Sequence, residues 1–382
     1  MIAGILKGTS KMGDVTKVDA VVVGAGQAGL ASAYELARRG VSQVVLEAGT
    51  RVGNQWRNRW DSLRLFTPAR FDGLPGSKFP APPDSFPGKD QLADYLEAYG
   101  REHRLPIRTG VRALSLERSG DGYRLETSTG AIEAAHVVVA TGYQGPKIPA
   151  LAADIKAEIR QLHASEYKNP SQLAGEVLVV GAGTSGVEIA TEAARAGHKT
   201  VLAGRGTGAI PPVLYSFDGK FFWFYANKIA SVQTPIGRRM KPFVLHHGAP
   251  LIRVTMREAL AAGVERAPRI TAVQGGDPVC DGGRRLQPQT IVWCTGFTRD
   301  YSWIRFPVAG DDGYPKHVGG VADGENGLYF MGLPFQTRLA SGLIGGQGPD
   351  AALVAETIAG RLAAERRVVL PASASAAAAT TA

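Results

Sequence analysis

The feature that most restricts the fold is a near-repeat: residues 21–37 read VVVGAGQAGLASAYELA, and residues 177–193 read VLVVGAGTSGVEIATEA. In each copy a valine run predicts a buried parallel strand, and the stretch after it predicts a helix. Between them stands Gly-x-Gly-x-x-Gly, which is Gly24, Gly26 and Gly29 in the first copy and Gly181, Gly183 and Gly186 in the second. The first glycine makes a tight turn, the second lets a pyrophosphate approach the backbone, and the third lets the helix lie close on its strand. Phosphates then meet the free N–H groups of the helix N-terminus. Two such units call for two dinucleotide-binding domains of the α/β class, and 382 residues exceed what one hydrophobic core organises.

The copies differ where their second strands end. After the first unit Val44, Val45 and Leu46 run into Glu47, an acid placed to accept from ribose hydroxyls. After the second, residues 200–203 are followed by Gly204 and Arg205. A carboxylate there would repel a ribose 2′-phosphate, whereas a guanidinium binds it in a charge-assisted fork, so the second site prefers NADPH to NADH. The alternative is that Arg205 is a plain surface arginine.

Two further segments share a pattern, HVVVATGY at 136–143 and TIVWCTGF at 290–297. Each is a buried strand ending in Thr-Gly and an aromatic residue, placed where the chain crosses from one nucleotide unit toward the other. Small residues there leave room for a dinucleotide against backbone; either alone would pass as a core strand and turn, and the pairing favours binding. Residues 75–88, PGSKFPAPPDSFPG, predict an ordered cover segment, because proline lacks the N–H that helices and central strands need. Phe217, Phe221 and Phe224 recur at helical spacing within residues 211–253. Such a stripe is usually core; the other reading is a substrate tunnel or lid with apolar walls.

Only two cysteines occur, Cys280 and Cys294, which leaves no CxxC pair, no disulfide framework and no cysteine-rich metal site, and we expect no metal. The net charge of +9 is dispersed, with loose concentrations at residues 51–70 and 228–257, and no nucleic-acid arm is expected. No apolar stretch is long enough to span a bilayer and no signal-peptide pattern opens the chain, so neither stable membrane insertion nor export is expected, and the cytoplasm is the expected compartment.

The ordered set of motifs resembles class B flavin-containing monooxygenases, most closely their bacterial group and the plant indole-pyruvate-type enzymes. The resemblance rests on the two glycine units, Gly53-Asn54-Gln55-Trp56, WDSLRLFTPAR at 60–70, ATGYQGPKIP at 140–149, HASEYKNP at 163–170 and residues 327–350, and it covers about residues 18–362. It implies FAD on the first unit, touching Gly24, Gly26, Gln27, Gly29, Glu47, Gln55, Trp56, Ala140, Thr141, Gly142 and Gln347. It implies NADPH on the second, touching Gly181, Gly183, Thr184, Ser185, Gly186, Arg205, Thr295 and Gly296. His163, Tyr167 and Lys168 match a family fingerprint that joins the domains and is associated with NADP handling, although Ala157 and Ile159 replace its Phe and Gly. Thr67-Pro68 stands where animal-type members place an Asn near the flavin.

The implied organisation is a disordered leader (1–17), an FAD domain in two parts (18–168 and 293–365), an inserted NADPH domain (169–292) carrying the aromatic-rich segment, and a disordered tail (366–382). The implied activity inserts one oxygen atom of O2 into a small organic substrate through a C4a-(hydro)peroxyflavin, with no side chain singled out as catalytic. Amines, thioethers, N-hydroxylatable metabolites and 2-oxo acids are open as substrates, and a homodimer is possible. An NADPH oxidase, an electron-transfer reductase and a regulatory NADPH sensor share these cofactor motifs; a disulfide reductase would need a dithiol beside the flavin.

Overall fold

The computed structural model describes residues 15–210, 218–246, 250–310 and 313–369. The first unit opens with β1 (Thr16–Val23), passes the glycine turn into α1 (Gln27–Arg38) and returns in β2 (Gln43–Glu47). It continues through α2 (Asn54–Arg57), α3 (Lys89–Glu102) and β3 (Ile107–Thr109), then the hairpin of β4 (Ala113–Ser119) and β5 (Gly122–Thr127), and β6 (Gly130–Val139). A short β7 (Gly145–Pro146) and β8 (Arg160–His163) lead to the second unit. There β9 (Val177–Val180), α4 (Thr184–Arg195) and β10 (Thr200–Ala203) repeat the opening motif. After α5 (Lys220–Phe224), α6 (Pro235–His246) and α7 (Met256–Ala261) come β11 (Glu265–Ala267), β12 (Ile270–Gln274), β13 (Asp277–Cys280) and β14 (Thr290–Trp293). The chain then re-enters the first unit through β15 (Phe297–Thr298), β16 (His317–Val318), β17 (Val321–Ala322), β18 (Leu328–Phe330) and α8 (Gln347–Val369).

The first sheet runs β16-β17-β18-β6-β1-β2-β3, with the β4–β5 hairpin on β6, and the second runs β11-β10-β9-β14-β8. In both, the strand before the glycine turn sits between its second strand and the crossing strand, all parallel. That is the switch point at which connections leave to opposite sides and a crevice opens beyond the carboxyl ends of the strands. The two Rossmann-like domains expected from the repeat are therefore present.

Burial explains why these segments form these elements. Ala20, Val21, Val22, Val137 and Val138 are fully buried between helices on one face and the hairpin on the other, as parallel strands require. On the helical face, α1 lays Leu30, Ala33 and Leu36 against Val354, Ala355 and Ile358 of α8. Each leucine or isoleucine so removed from water contributes roughly 1.5–3 kcal/mol. The proline-rich segment lies over α1 and α3: the Tyr99 hydroxyl donates to the Pro75 carbonyl (2.7 Å), and the Tyr95 hydroxyl accepts from the Leu74 N–H (2.7 Å).

Three expected boundaries move. Thr16 and Lys17 are not leader but strand, in register with Ile132 and Glu133, because backbone pairing continues past the buried part of β1; residues 1–14 lie outside the described residues. Helix α8 runs on to Val369, with Arg366 reaching Asp19 (3.2 Å), so residues 366–369 are helix and not tail; residues 370–382 lie outside the described residues. Strand β8 precedes the expected boundary at 168/169 yet pairs with β14 as the edge of the second sheet. Its sequence, Arg-Gln-Leu-His, is exposed over its first two residues and carries no valine signal.

Candidate functional site

The two glycine turns have the geometry a dinucleotide needs. Gly24 and Gly181 adopt φ of +106° and +109°, and a Cβ on either would lie 2.5 Å from the Ala140 carbonyl oxygen or 2.3 Å from that of Cys294. A Cβ on Gly29 or Gly186 would lie 1.8 Å from the carbonyl oxygen of its own turn's first glycine. Gly26 and Gly183 are different: a Cβ there would have no atom within 4 Å. Each middle glycine thus faces open space at a helix start that has no side-chain cap and no acid in its first turn. Unsatisfied N–H groups beside an open space fit a phosphate.

Beside the first turn, the Glu47 carboxylate accepts from the Ala25 N–H (3.1 Å) and the Gly49 N–H (2.8 Å), which holds it at the end of β2 next to the turn. Trp56 Nε1 donates to Gln27 Oε1 (3.4 Å), and Gln55 is exposed. Gln347 opens α8 beside α1, where a Cβ on Gly332 would touch the Ala28 Cβ (2.9 Å) and lie 4.0 Å from Gln347 Oε1. Its Nε2 donates to the carbonyls of Ser341 (2.7 Å) and Leu343 (3.1 Å), while Oε1 is buried without a partner. Gly24, Ala140, Glu47 and Gln347 therefore converge on one crevice.

Beside the second turn, Gly204 lies against the backbone of Gly181 and Ala182, which leaves Arg205 exposed at the end of β10. Thr184 and Ser185 stand in the first turn of α4, both half-buried. The crossing segments end in Gly142 and Gly296, where added Cβ atoms meet nothing within 4 Å. Thr141 is half-buried beside the first turn. The Thr295 hydroxyl donates to the Lys147 carbonyl, binding one crossing to the other.

The fingerprint residues act as fasteners. His163 is buried; its Nε2 donates to the Gly296 carbonyl (2.9 Å) and its Nδ1 accepts from the Ser165 N–H (3.2 Å). Burial holds its pKa below the ordinary histidine value, so the ring stays neutral. Tyr167 is fully buried and donates to Glu192 of α4 (2.8 Å), and Lys168 Nζ donates to the Asn58 carbonyl of the first unit.

Sequence reasoning missed three groups. Thr67 donates its hydroxyl to Asp72, a fully buried carboxyl whose second oxygen has no partner, and burial pushes that acid up to about 7 against the opposing effect of the Thr67 bond. Glu188 of α4 meets Arg253, yet burial raises its pKa to about 7 as well. Arg59 lies over the Phe297 ring, its guanidinium carbon 4.5 Å from the centroid. Their only signals in the sequence were ordinary acids and a local density of arginine.

The aromatic segment corrects an expectation. Phe221 and Phe224 are 41% and 55% exposed, so they are not core; Phe222 is the buried ring, packed with Ala226 and Ala340. Trp223 stacks on Phe71 of the first unit (5.0 Å, 15° between planes). Helical spacing found a face, but the packed face is the neighbouring one, because the first unit lies on that side. Phe217 lies outside the described residues.

Among the described residues, no helix is long and apolar enough to cross a membrane and no cluster of side chains forms a metal site. Cys280 and Cys294 are both free.

Comparison with known proteins agrees with this architecture. A family model described as pyridine nucleotide-disulphide oxidoreductase matches residues 21–212. A CzcO-like oxidoreductase of Geobacillus kaustophilus is 38% identical over 338 residues, covering 87% of this chain and 96% of that protein. Indole-3-pyruvate monooxygenase YUCCA1 of Oryza sativa is 38% identical over 199 residues, 50% of this chain and 49% of that protein. The flavin-containing monooxygenase from Stenotrophomonas maltophilia shares the fold with a TM-score of 0.75 at 23% identity, covering 91% of this chain and 100% of that one. The chain belongs to the pyridine nucleotide-disulphide oxidoreductase family, and within it to the group of flavin-containing monooxygenases and CzcO-like oxidoreductases.

Proposed function

We propose that the protein is an NADPH-dependent FAD monooxygenase acting on a small organic substrate. The observation that carries this reading is the pair of glycine turns, alike in their open middle glycine and unlike at the next strand end, Glu47 in one and Gly204-Arg205 in the other. The first would hold FAD, with Glu47 accepting from its ribose and Gln27, Trp56, Ala140, Thr141, Gly142 and Gln347 around it. The second would hold NADPH on Gly183, Thr184 and Ser185, with Arg205 on the 2′-phosphate and Thr295-Gly296 at the nicotinamide end. When bound, the flavin would supply the redox chemistry, hydride acceptance from a nicotinamide and activation of dioxygen for transfer of one oxygen atom to substrate and the other to water.

The chain's own residues bind, align and exclude water. Neutral His163, donating to the Gly296 carbonyl, fastens the second crossing without placing a charge beside it. Trp223 stacked on Phe71 closes an apolar cover next to Gly345, where a Cβ would lie 1.9 Å from the Phe71 carbonyl. Such a cover limits water at the reacting centre. The YUCCA relatives are named for indole-3-pyruvate, which makes a 2-oxo acid the first substrate to try.

The test is anaerobic reduction of the FAD-loaded protein by NADPH, then mixing with oxygen and counting hydrogen peroxide per NADPH oxidised. A peroxide yield that falls as a substrate is oxygenated supports the reading. Stoichiometric peroxide with every substrate class would replace it with an oxidase or electron-transfer role, and no reduction by NADPH would remove it.

A further inference from the structure

Among the described residues, Arg59 is a cation without a counter-ion. Its neighbours are paired: Arg51 meets Glu97 (2.5 Å) and Arg57 meets Asp94 (2.8 Å). The Arg59 guanidinium is half-buried over Phe297, and among the described residues it meets no carboxylate and no hydrogen-bond acceptor. Burial lowers its pKa, the direction expected of a guanidinium that loses water and gains no anion. Taking such a charge out of water costs free energy that a ring face only partly returns. A binding site whose anion comes from a ligand has this appearance.

Position says which anion. Trp60 and Leu63, which follow Arg59, share one buried cluster with Ala182 of the second glycine turn and Val187 of α4, and Trp56, which precedes it, packs against that cluster. Phe297, the ring under the guanidinium, follows the β14 crossing, and its edge meets His163 (5.0 Å, 87°). In the second sheet β10 and β14 flank β9 on opposite sides. Arg205 closes β10 and so addresses the adenosine end of a dinucleotide. Arg59 arrives over the end of β14, on the side of the pyrophosphate and the nicotinamide half.

We propose that Arg59, a residue of the first unit, binds the pyrophosphate of the nicotinamide dinucleotide held on the second glycine turn, and thereby couples cofactor binding to the docking of the two units. This rests on the reading of the second turn as the NADPH site. The arginine acts on a group common to NADP+ and NAD+, so it contributes affinity, whereas Arg205 contributes the choice between them.

Calorimetric titration of the FAD-loaded wild type, Arg59→Gln and Arg59→Lys with NADP+, NAD+ and adenosine 2′-monophosphate tests this. Arg59→Gln is expected to raise the Kd of NADP+ and NAD+ alike by roughly tenfold to a hundredfold, the range of a charged hydrogen-bond contact. It leaves adenosine 2′-monophosphate, which has no pyrophosphate, unchanged, and Arg59→Lys recovers part of the loss. The melting temperature of Arg59→Gln stays level or rises, because a half-buried cation that meets no carboxylate among the described residues has been removed. Unchanged NADP+ affinity overturns the proposal, and a lowered melting temperature beside it assigns Arg59 to packing on Phe297. Loss of FAD with NADP+ affinity intact also overturns it, moving the anion to the first turn. A wild type that binds neither NADP+ nor NAD+ removes the underlying reading of the second turn as well.

Discussion

Substituting alanine at two glycines three residues apart separates binding from folding. At Gly183 the backbone is extended, with φ of −80° and ψ of −174°, and a Cβ would have no atom within 4 Å. Alanine fits the free protein: the entropy removed from the unfolded chain offsets the weaker helix start, and stability stays within about 1 kcal/mol of wild type. The new methyl occupies the space through which a pyrophosphate approaches, so NADP+ affinity falls about tenfold or more, near 1.4 kcal/mol. At Gly186 the same methyl would lie 1.8 Å from the Gly181 carbonyl oxygen, and α4 cannot sit on β9 without moving. Overpacking of this kind costs about 3 kcal/mol or more, because backbone rather than a side-chain tip must yield. Urea unfolding and calorimetric titration with NADP+ read both effects. A Gly183→Ala protein that binds NADP+ like wild type would refute the assignment of that open space to the cofactor. A Gly186→Ala protein of wild-type stability would refute the packing argument.

Arg205→Ala should raise the KM for NADPH by roughly ten- to a hundredfold and that for NADH little, the loss of a charged contact to the 2′-phosphate; steady-state kinetics with both nucleotides decide, and equal effects sink the role. Asp72 makes stability depend on pH. Its folded carboxyl keeps its proton to about pH 7 while the unfolded one releases it near 3.8, so its contribution is full below pH ~4 and fades as pH rises toward 7, by roughly 1.4 kcal/mol per unit. Asp72→Asn should flatten that decline in urea midpoints taken between pH 5 and 8, and an unchanged slope would show the acid is already ionised. Tyr167→Phe should cost about 1–2 kcal/mol by stripping Glu192 of its donor, with NADP+ affinity unaltered in the same titrations. Phe222→Ala should cost about 3 kcal/mol and Phe224→Ala within about 0.5, and similar thermal shifts for the two would contradict the orientation of α5.

The domains and the nucleotide turns were legible because their signals are local. Strand, glycine turn and helix occupy one continuous stretch of chain, and the first and third glycines of each turn are required by contacts within that stretch or with the strand beside it, while the middle one faces open space. The edge strand β8 escaped notice for the opposite reason: with two exposed polar residues and no valine run, it is a strand only because β14 offers it a partner. The helical period of Phe221 and Phe224 was real, yet period reports a face and not which side the rest of the protein covers. Asp72 looked like any surface acid until residues 67–74 folded over it.

By itself, then, the sequence determined the α/β class, the duplication, the two open glycines and the difference between Glu47 and Arg205, all of which depend on residues near one another in the chain. Tertiary structure alone decided that His163 is neutral and fastened to Gly296, that Asp72 is sealed from water, and that Arg59 meets a ring from residue 297 instead of an acid. Charge state and pairing are set by burial and by neighbours from remote segments, and those exist only after the two units have packed together.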